Sequence, residues 1–231
     1  MMEQKEISQL FSSIAEKYDF LNHFLSLNID RYWRRRFVRT AGPAGPRWIL
    51  DLCTGTGDVA LEFAKTQPLA RIAAVDISEG MLRQAGKKTR SRGLSRRIQF
   101  FNGSAFDLPF KNDSFDVVSI SFGFRNLFQH RFALEEMKRV LRPRGEMLIL
   151  EFSPSHNGFF LKIYRFYLKN IMPAVGRFVL GTRRPYDYLA STIQSFLTPG
   201  DILDLMRESG FKNVSVIPLT GGVVNIYRAE K

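Results

Sequence analysis

The sequence is poor in cysteine, contains no long hydrophobic run and lacks a signal peptide, and each absence excludes a class of protein. Its one cysteine, Cys53, excludes an intramolecular disulfide and a cysteine-based zinc site, which fits a reducing compartment. No apolar run approaches the ~18 residues of a membrane-spanning helix. Residues 1–10 carry acidic side chains and no apolar core, so we expect no secretory signal and a cytoplasmic protein.

The composition predicts a single globular domain with a basic surface. A chain of 231 residues, 45% of them hydrophobic, can bury a sizeable core, and 24% charged residues is near the globular norm. Lys and Arg number 34 and Asp and Glu number 22, which gives a net charge of +12. This charge favours anionic partners such as nucleic acid, phospholipid head groups or acidic substrates. A nucleic-acid-binding protein is therefore one alternative, although the sequence shows no recognised binding motif.

Glycines and prolines divide the chain into an N-terminal arm and a larger domain. Residues 41–46 read Ala-Gly-Pro-Ala-Gly-Pro, and glycine and proline interrupt regular structure. We therefore predict a helical arm over residues 1–40 and one domain over residues 47–231. In that domain short apolar runs alternate with helical patterns, which predicts an α/β fold with a doubly wound, seven-stranded sheet. The last two strands flank Thr220-Gly221-Gly222 and predict an antiparallel hairpin at one edge.

One segment, residues 156–190, does not fit this alternation. The predicted strands are 48–53, 71–76, 98–102, 115–122, 146–152, 214–219 and 223–228, and the predicted helices are 58–66, 131–141, 199–209 and one that begins at Ser78. Residues 156–190 form a far longer connection than the usual ~2–6 residues. They interleave aromatic with basic side chains, so we predict an inserted helical lid or substrate wall. These side chains include Phe159, Phe160, Lys162, Tyr164, Arg165, Phe166, Tyr167 and Lys169.

A glycine loop lies where the first predicted strand passes into a helix. Gly55 and Gly57 let the backbone approach a ligand, and the helix that follows offers unpaired N–H donors. Asp76 ends the next strand, where an acid in α/β sheets accepts hydrogen bonds from ribose hydroxyls. Residues 55–60 also match the dinucleotide fingerprint G-x-G-x-x-A, so an NAD-dependent reductase is a second alternative.

Three features favour S-adenosylmethionine over a dinucleotide. Asp51 precedes the glycine loop and suits a cationic or amino-acid-bearing ligand. Asp58 follows the second glycine, where its carboxylate would repel a pyrophosphate. Residues 103–110, followed by Ser114-Phe115-Asp116, are typical of an adenine-side loop in methyltransferases. S-adenosylmethionine carries a sulfonium cation and no phosphate, which fits a loop lined by acids.

Several longer motifs resemble the ubiquinone/menaquinone biosynthesis C-methyltransferases of the UbiE/MenG type. This family is a branch of the class I S-adenosylmethionine-dependent methyltransferases, which have a Rossmann-like fold. The resemblance covers residues 11–231, on YDFLN at 18–22, RYW at 31–33, FGFRN at 122–126, EMKRVLRPRG at 136–145, LEFS at 150–153 and TGGV at 220–223. The chain departs from the family at Leu21, Asp30 and Arg144, where Met, His and Gly are usual. These departures remove no cofactor loop but leave the choice of quinone precursor open.

The resemblance implies S-adenosylmethionine as the cofactor and assigns its contacts residue by residue. Thr56 lies in the glycine loop, and Asp76 matches the ribose position. Ser104 stands where Asn is more usual in the family and offers a shorter polar side chain. The cofactor site predicted from the loop and the resemblance together comprises Asp51, Gly55, Thr56, Gly57, Asp76, Ser104, Ala105 and Ser121.

The resemblance also implies the reaction, which is C-methylation of a polyprenylated quinol, with demethylmenaquinol to menaquinol as the expected conversion. The alternative substrate is the 2-methoxy-6-polyprenyl-1,4-benzoquinol of ubiquinone biosynthesis. Aromatic carbon becomes nucleophilic when a neighbouring hydroxyl loses its proton. A phenol of pKa ~10 is mostly neutral at neutral pH, so a base or a phenolate stabiliser would help. The reduced quinol, and not the quinone, is therefore the expected substrate.

Four residues are candidates for the catalytic role. Arg125 and Asn126 follow the fourth predicted strand, beside the expected methyl group, and Arg125 can hold a developing phenolate. Tyr18 and Asp19 belong to the arm and can close over the site and orient hydroxyls. The structural alternatives are an ion pair of Arg125 with Glu151 or Asp116, and a packing or helix-capping role for Tyr18 and Asp19.

Two segments alternate aromatic with basic residues and predict a membrane-docking face. These are residues 159–172 and 33–37, and the alternative is that their aromatic side chains belong to the core. Because a prenyl tail keeps a quinol in the bilayer, we expect peripheral association with the anionic inner face of the membrane. We expect no nucleic-acid partner, and a homodimer stays open. His23, His130 and His156 have no metal-ligand spacing, so we predict no metal site.

Overall fold

A computed structural model of the chain describes residues 4–42, 45, 47–154 and 184–231, and its first feature is the helical arm. Helix α1 spans Gln4–Leu25 and helix α2 spans Ile29–Val38. Between them Leu27 and Asn28 adopt φ angles of 50° and 62°, in the left-handed region, which turns the chain sharply. The arm predicted from the sequence is thus two helices joined by a tight turn.

The strands of the described residues form one seven-stranded sheet. They are β1 (Trp48–Leu52), β2 (Arg71–Asp76), β3 (Ile98–Asn102), β4 (Phe115–Ser121), β5 (Leu141–Phe152), β6 (Lys212–Leu219) and β7 (Val224–Glu230). Their order across the sheet is β3-β2-β1-β4-β5-β7-β6. Strands β1 to β5 pair in parallel, and β7 pairs antiparallel with both β5 and β6. The predicted doubly wound sheet with an antiparallel pair at one edge is confirmed.

Strand β5 begins five residues earlier than the sequence predicts. Leu141 already pairs with Phe115, and the register then shifts before Glu146 pairs with Val117. The intervening residues 142–145 form an irregularity in the ladder, in which Arg144 has a φ of 64°. The helix predicted over 131–141 ends at Val140, but a bulge absorbs the proline and glycine that follow without ending the strand, so β5 starts before them.

The remaining helices of the described residues connect the strands and cover the sheet. They are α3 (Asp58–Thr66), α4 (Glu79–Ser91), α5 (His130–Val140), α6 (Arg184–Gln194) and α7 (Pro199–Glu208), with a short 3-10 turn at Phe124–Asn126. Ser78 caps α4 by accepting a hydrogen bond from Met81 N, as its position in the sequence predicts. No helix among the described residues is long and apolar enough to cross a bilayer. Residues 155–183 of the predicted helical lid lie outside the described residues.

The two faces of the sheet carry separate cores because successive side chains of a strand point to opposite sides. On β1, Leu50 packs in the core that α5 and α7 cover, together with Leu134. Ile49 packs in the core that α2 and α3 cover, together with Phe37. Helices therefore bury both faces of the parallel part of the sheet, and the ends of its strands remain for a binding site.

The docking face predicted at residues 33–37 is wrong for its aromatic residues. Trp33 and Phe37 are buried, and Trp33 Nε1 donates a hydrogen bond to Thr220 Oγ1 at 2.8 Å. Both side chains lie in the core beneath α2, because this face of the helix turns toward the sheet. Residues 159–172, the other predicted docking segment, lie outside the described residues.

Candidate active site

Two adjoining cavities lie at the carboxyl end of the parallel strands. The first, which we call the sheet-end cavity, is lined by Cys53, Gly55, Asp76, Ala105 and Ser121, among others. It lies at the ends of β1, β2 and β4, where the strand order reverses between β1 and β4. Ligands of open α/β sheets bind at this switch point.

The second, which we call the arm cavity, is lined largely by residues of the arm. Its walls come from α1, α2 and α6 and from the ends of β4 and β5, and include Ile14, Asn22, Trp33, Arg125 and Tyr188. Phe11, Tyr18 and Phe122 line both cavities. The two cavities therefore share part of their walls.

The backbone between the two cavities is strained and tightly packed. Cys53 and Phe122, which follow β1 and β4, have φ angles of 50° and 56°, which non-glycine residues rarely adopt. A Cβ atom on Gly123 would lie only 2.4 Å from Cβ of Cys53, so these two loops meet at a point where only glycine fits. Strain of this kind is retained mainly at functional sites.

Asp76 presents a fixed carboxylate to the sheet-end cavity. Its Oδ2 accepts a hydrogen bond from Gly55 N at 2.8 Å, and its Oδ1 accepts one from Ser78 N at 2.8 Å. Burial raises the pKa of this carboxyl, against the lowering effect of the backbone N–H groups. Each carboxylate oxygen has a second lone pair, so Asp76 can still accept hydrogen bonds from ligand hydroxyls.

Ser121 supplies a polar atom that nothing in the described residues satisfies. Its Oγ is buried at the end of β4, lines the sheet-end cavity and has no hydrogen-bond partner. An unpartnered buried hydroxyl costs free energy, and a polar ligand in the cavity would remove that cost. This atom and the Asp76 carboxylate match what a nucleoside-like ligand requires.

Asp51 lies behind the glycine loop. It is buried and accepts hydrogen bonds from Thr54 Oγ1 at 2.6 Å and from Ser119 Oγ at 2.8 Å. Burial raises the pKa of this carboxyl to about 6, against the lowering effect of the two hydroxyl donors. Asp51 therefore links the glycine loop to β4 through these two hydrogen bonds, and its carboxyl group is partly ionised near neutral pH.

Of the eight predicted cofactor residues, four line the sheet-end cavity: Gly55, Asp76, Ala105 and Ser121. Gly57 precedes α3 with a φ of 82°, and the Ser104 Oγ accepts a hydrogen bond from Phe106 N. Thr56 directs its hydroxyl to Asp19 of the arm. The glycine loop thus reaches the cavity through Gly55, and half of the predicted cofactor residues form part of the cavity wall.

Asp19 belongs to an ionic cluster that fastens the arm to the glycine loop and α4. Its carboxylate accepts hydrogen bonds from Thr56 Oγ1 and, at 2.7 Å, from Lys88 Nζ, and Lys88 also donates to Asp58. Burial tends to raise the pKa of Asp58, but the charges of Arg34 and Lys88 outweigh it and hold that pKa below its usual value. This geometry gives Asp19 a packing role, which was one of the two alternatives.

The cluster also corrects one argument from the sequence. Asp58 was expected to face the ligand and repel a pyrophosphate. Its carboxylate instead contacts Lys88 and lies 4.0 Å from Arg34, and it is not part of the wall of either cavity. Arg34 and Lys88 therefore neutralise Asp58, and Asp58 gives no reason to prefer a phosphate-free ligand.

Arg125 enters the arm cavity from the end of β4 and is held there by Glu151. Its Nη1 donates to Glu151 Oε1 at 2.8 Å, and its backbone N donates to Glu151 Oε2 at 3.1 Å. The guanidinium lies 5.6 Å from the ring centre of Phe152. Its Nε is buried and has no hydrogen-bond partner within the described part of the chain. Arg125 thus forms the ion pair that was the alternative for it, and it still lines the cavity with an unused donor.

Asn126 and Tyr18 lie at the boundary between the cavities. Asn126 lines the sheet-end cavity, and its Oδ1 accepts a hydrogen bond from the hydroxyl of Tyr188 at 3.1 Å, which directs its NH₂ group elsewhere. Tyr18 lines both cavities and hydrogen-bonds with Asn22. Burial raises the pKa of Tyr18, so its hydroxyl is neutral at physiological pH and can donate a hydrogen bond.

The two described histidines, His23 and His130, each have a structural contact. His23 Nδ1 lies 2.7 Å from Asp30 Oδ2, and His130 Nε2 lies 3.1 Å from the carbonyl oxygen of Phe124. His156 lies outside the described residues. Within the described ranges, no three His, Cys, Asp or Glu side chains are grouped as metal ligands would be.

Two residues of the site, Lys88 and Tyr188, were not predicted from the sequence, and Glu151 was predicted only as an alternative ion-pair partner of Arg125. Lys88 contacts Asp19 and Asp58, which are 69 and 30 residues away in the chain. Glu151 is buried at the end of β5 and reads as part of an apolar strand. Tyr188 lies on α6, and its partner Asn126 is 62 residues distant. Only the fold brings these pairs together.

Comparison with known proteins shows the family of the chain. The whole chain, residues 1–231, matches the model of the ubiE/COQ5 methyltransferase family. A relative from Syntrophotalea carbinolica, named ubiquinone/menaquinone biosynthesis C-methyltransferase UbiE, is 41% identical over 218 residues, which are 94% of this chain and 91% of the relative. A relative from Thermotoga maritima, named demethylmenaquinone methyltransferase, is 41% identical over 225 residues, which are 97% and 95% of the two chains.

The fold also matches solved structures at low sequence identity. A protein from Thermotoga maritima, described as a SAM-dependent methyltransferase and possible histamine N-methyltransferase, superposes with a TM-score of 0.66 at 19% identity. The match covers 96% of this chain and 99% of that one. This likeness shows the class I, Rossmann-like methyltransferase fold.

Proposed function

Because the chain belongs to the ubiE/COQ5 methyltransferase family, we propose that it transfers a methyl group from S-adenosylmethionine to a ring carbon of a polyprenylated quinol. Demethylmenaquinol, converted to menaquinol, is the proposed substrate. The second candidate is the 2-methoxy-6-polyprenyl-1,4-benzoquinol of ubiquinone biosynthesis. Relatives of about equal similarity carry names from each of these two groups, which is the observation that keeps the second candidate.

The observation that carries this proposal is the contact between two cavities of different character. The sheet-end cavity presents the Asp76 carboxylate and the unpartnered Ser121 hydroxyl. The arm cavity presents apolar walls and the guanidinium of Arg125. A methyl donor and an acceptor must be held in contact and in line, and two adjoining cavities that share Tyr18 and Phe122 are suited to this.

The sheet-end cavity fits S-adenosylmethionine, which is the cofactor of this methyltransferase. Asp76 would accept hydrogen bonds from the ribose hydroxyls, and Ser121 would satisfy its buried hydroxyl on a polar atom of the cofactor. Gly55 and Ala105 leave room beside them because their side chains are absent or small. When bound, the cofactor supplies an electrophilic methyl group on a sulfonium sulfur.

The residues of the arm cavity would activate the quinol. Glu151 holds the guanidinium of Arg125 in the cavity, and this charge stabilises the phenolate that makes the neighbouring ring carbon nucleophilic. Tyr18, which lines both cavities, is neutral and donates a hydrogen bond to a ring oxygen, and Asn126 orients the ring from the wall of the sheet-end cavity. Asp19 acts indirectly, since it holds the arm that carries Tyr18. The oxidised quinone has no such hydroxyl and is not methylated.

A lipid substrate also places the protein at a membrane. The prenyl tail remains in the bilayer, so the protein must meet its substrate at the surface, as a cytoplasmic protein bound peripherally to the inner face. Its net charge of +12 favours an anionic surface. No nucleic-acid partner is part of this proposal.

The test is methyl transfer from labelled S-adenosylmethionine, run in parallel on reduced demethylmenaquinone and on the reduced ubiquinone precursor. Label in the first lipid alone supports a dedicated menaquinone enzyme. Label in both lipids means that the arm cavity recognises the quinol and its tail more than the ring substituents. Label in neither, with cofactor binding intact, would overturn the proposed substrate class.

A further inference from the structure

The corner between α1 and α2 exposes a group of large apolar side chains. We call it the corner patch: Phe20, Phe24, Leu27, Ile29 and Tyr32. Phe20 and Phe24 are stacked, with ring centres 5.9 Å apart and an angle of 15° between the ring planes. Exposed apolar residues are ordinary when single, but a contiguous group of this size marks an interaction surface.

The backbone at the patch shows that folding alone does not explain it. Leu27 is 79% exposed and has a φ of 50°, a conformation that glycine or asparagine adopts far more readily than leucine. Leucine at this position therefore contributes neither to the turn nor to solubility. Strained residues of this kind persist where they serve a function.

The patch residues alternate along the chain with residues that line the arm cavity. Leu25 and Ser26, which line that cavity, lie between Phe24 and Leu27 in the chain. Trp33, which also lines it, directly follows Tyr32. The same turn therefore forms the inner wall of the cavity and, on its outer side, the exposed apolar surface.

Basic side chains accompany the patch along α2. On a helix, residues three and four positions apart share a face, so Arg35 and Arg36 lie beside Tyr32. Arg31 and Arg36 are exposed, and Arg35 is 4.0 Å from Glu62 and mostly exposed. Apolar side chains next to arginines fit a surface that is apolar below and anionic above, which is the interface of an anionic bilayer.

We propose that the corner patch inserts into the interface of an anionic lipid bilayer, with the α2 arginines at the head groups, so that the arm cavity receives its substrate from the membrane. The proposal rests on the proposed function, because a lipid substrate is what gives the docking a purpose. It replaces the docking face predicted at residues 33–37, whose aromatic side chains are buried.

The test measures binding of the full chain to vesicles of phosphatidylcholine with phosphatidylglycerol by cosedimentation. We expect Phe20→Gln/Phe24→Gln to lower the partition coefficient by at least about tenfold, since two exposed rings no longer transfer to lipid. Leu27→Gln has a matched control in Leu69→Gln, because Leu69 is 84% exposed but precedes β2 at the opposite end of the sheet. The control should bind as the unaltered protein does. Equal binding by the patch variants would overturn the proposal.

A second measurement separates this proposal from the proposed function. Methyl transfer is compared on a long-tailed quinol in vesicles and on a short-tailed, water-soluble quinol. We expect the double patch variant to lose about tenfold in rate on vesicles and to retain its rate on the soluble quinol. Vesicle binding that needs the patch, without methyl transfer by the unaltered protein, would overturn the function and leave the docking intact. Full activity of the patch variants on vesicles would overturn the docking alone.

The molecular mass of the protein in solution tests whether the corner patch instead binds a second copy of the chain. The proposal expects the same molecular mass for the unaltered protein and the double patch variant in the absence of vesicles. A dimer that the patch substitutions convert to monomer, with vesicle binding retained, would make the patch a subunit interface and overturn the membrane proposal.

Discussion

At the scale of single residues, the pair of Arg125 and Glu151 determines how the arm cavity is charged. Glu151 is fully buried and accepts hydrogen bonds from the side chain and the backbone of Arg125 and from Phe152 N. Removing one partner of a buried ion pair leaves the other charge uncompensated. Glu151 is therefore a positioning residue, which acts on the quinol through Arg125.

We predict that Glu151→Gln lowers kcat by roughly 10- to 100-fold while the affinity for S-adenosylmethionine stays within a factor of about two, because the sheet-end cavity is untouched. Steady-state kinetics with cofactor titration measure both quantities. Asp116→Asn is the matched control, since Asp116 pairs with Arg142 and lies away from both cavities. An unchanged kcat for Glu151→Gln would show that the pair is structural.

Asp51 carries a second prediction, on stability. The folded-state pKa of about 6 lies above the ordinary value of 3.8, so the folded protein binds more protons than the unfolded chain between about pH 4 and 6. The stability that the protonated form contributes is present below about pH 4 and is lost as the pH rises through 6. A shift of about two units corresponds to about 3 kcal/mol.

Asp51→Asn should therefore raise the free energy of unfolding at neutral pH by about 1–3 kcal/mol and flatten its fall between pH 4 and 6. It should also weaken cofactor binding, since the loop loses its charge. Urea denaturation at several pH values measures the first effect. A variant less stable than the unaltered protein at neutral pH would contradict the raised pKa.

At the scale of elements, the arm is held to the domain by the Lys88 cluster. Lys88 joins α4 to Asp19 of α1 and to Asp58 at the start of α3, and Thr56 of the glycine loop adds a fourth element. α1 also packs on α4 through Ile14, Ala15 and Met81. The position of Tyr18 over the site therefore depends on contacts that the arm makes elsewhere.

We predict that Lys88→Met destabilises the protein by about 1–3 kcal/mol, because two half-buried carboxylates lose their shared cation. It should also speed limited proteolysis of the arm and raise the KM for S-adenosylmethionine. Lys87→Met is the control, since Lys87 is the exposed neighbour on the same helix. Equal proteolysis rates for the two variants would contradict the role of the cluster.

The elements themselves were predictable, and their mutual orientation was not. Alternating apolar runs and helical patterns placed β1 to β4 within one residue, because their period depends only on local sequence. The start of β5 was missed, since a bulge absorbs a segment that reads as a stop. The exposed side of α2 was also missed, because its arginine and aromatic residues fit either face until the sheet is in place.

The candidate site likewise contains residues that a local motif predicts and residues whose role depends on the fold. Gly55 and Asp76 follow from a local motif and line the cavity, whereas Lys88 and Glu151 act through partners far away in the chain. The expected repulsion by Asp58 failed for this reason, since Arg34 and Lys88 neutralise it only in the folded protein. Sequence patterns therefore indicate which loop binds the cofactor, whereas the fold determines which side chains of that loop face the cavity.

At the scale of the whole molecule, cofactor binding should stabilise the fold, because the sheet-end cavity is assembled from four strands or their loops and covered by the arm. S-adenosylhomocysteine at about 100 times its Kd adds about 2.7 kcal/mol, or roughly 5–10 °C in Tm for a chain of this size. Thermal denaturation with NADH provides the comparison. Stabilisation by NADH and none by S-adenosylhomocysteine would favour the alternative that the protein is an NAD-dependent reductase.

The most direct measurement is product analysis after incubation with methyl-labelled S-adenosylmethionine and demethylmenaquinone, once kept reduced and once left oxidised. Mass spectrometry and NMR of the lipid locate the label. We predict one labelled methyl on the ring carbon of the reduced substrate and none on the oxidised one, because only the reduced ring can become a phenolate beside Arg125. Label on a ring oxygen, or equal labelling of the oxidised lipid, would contradict C-methylation through a quinol.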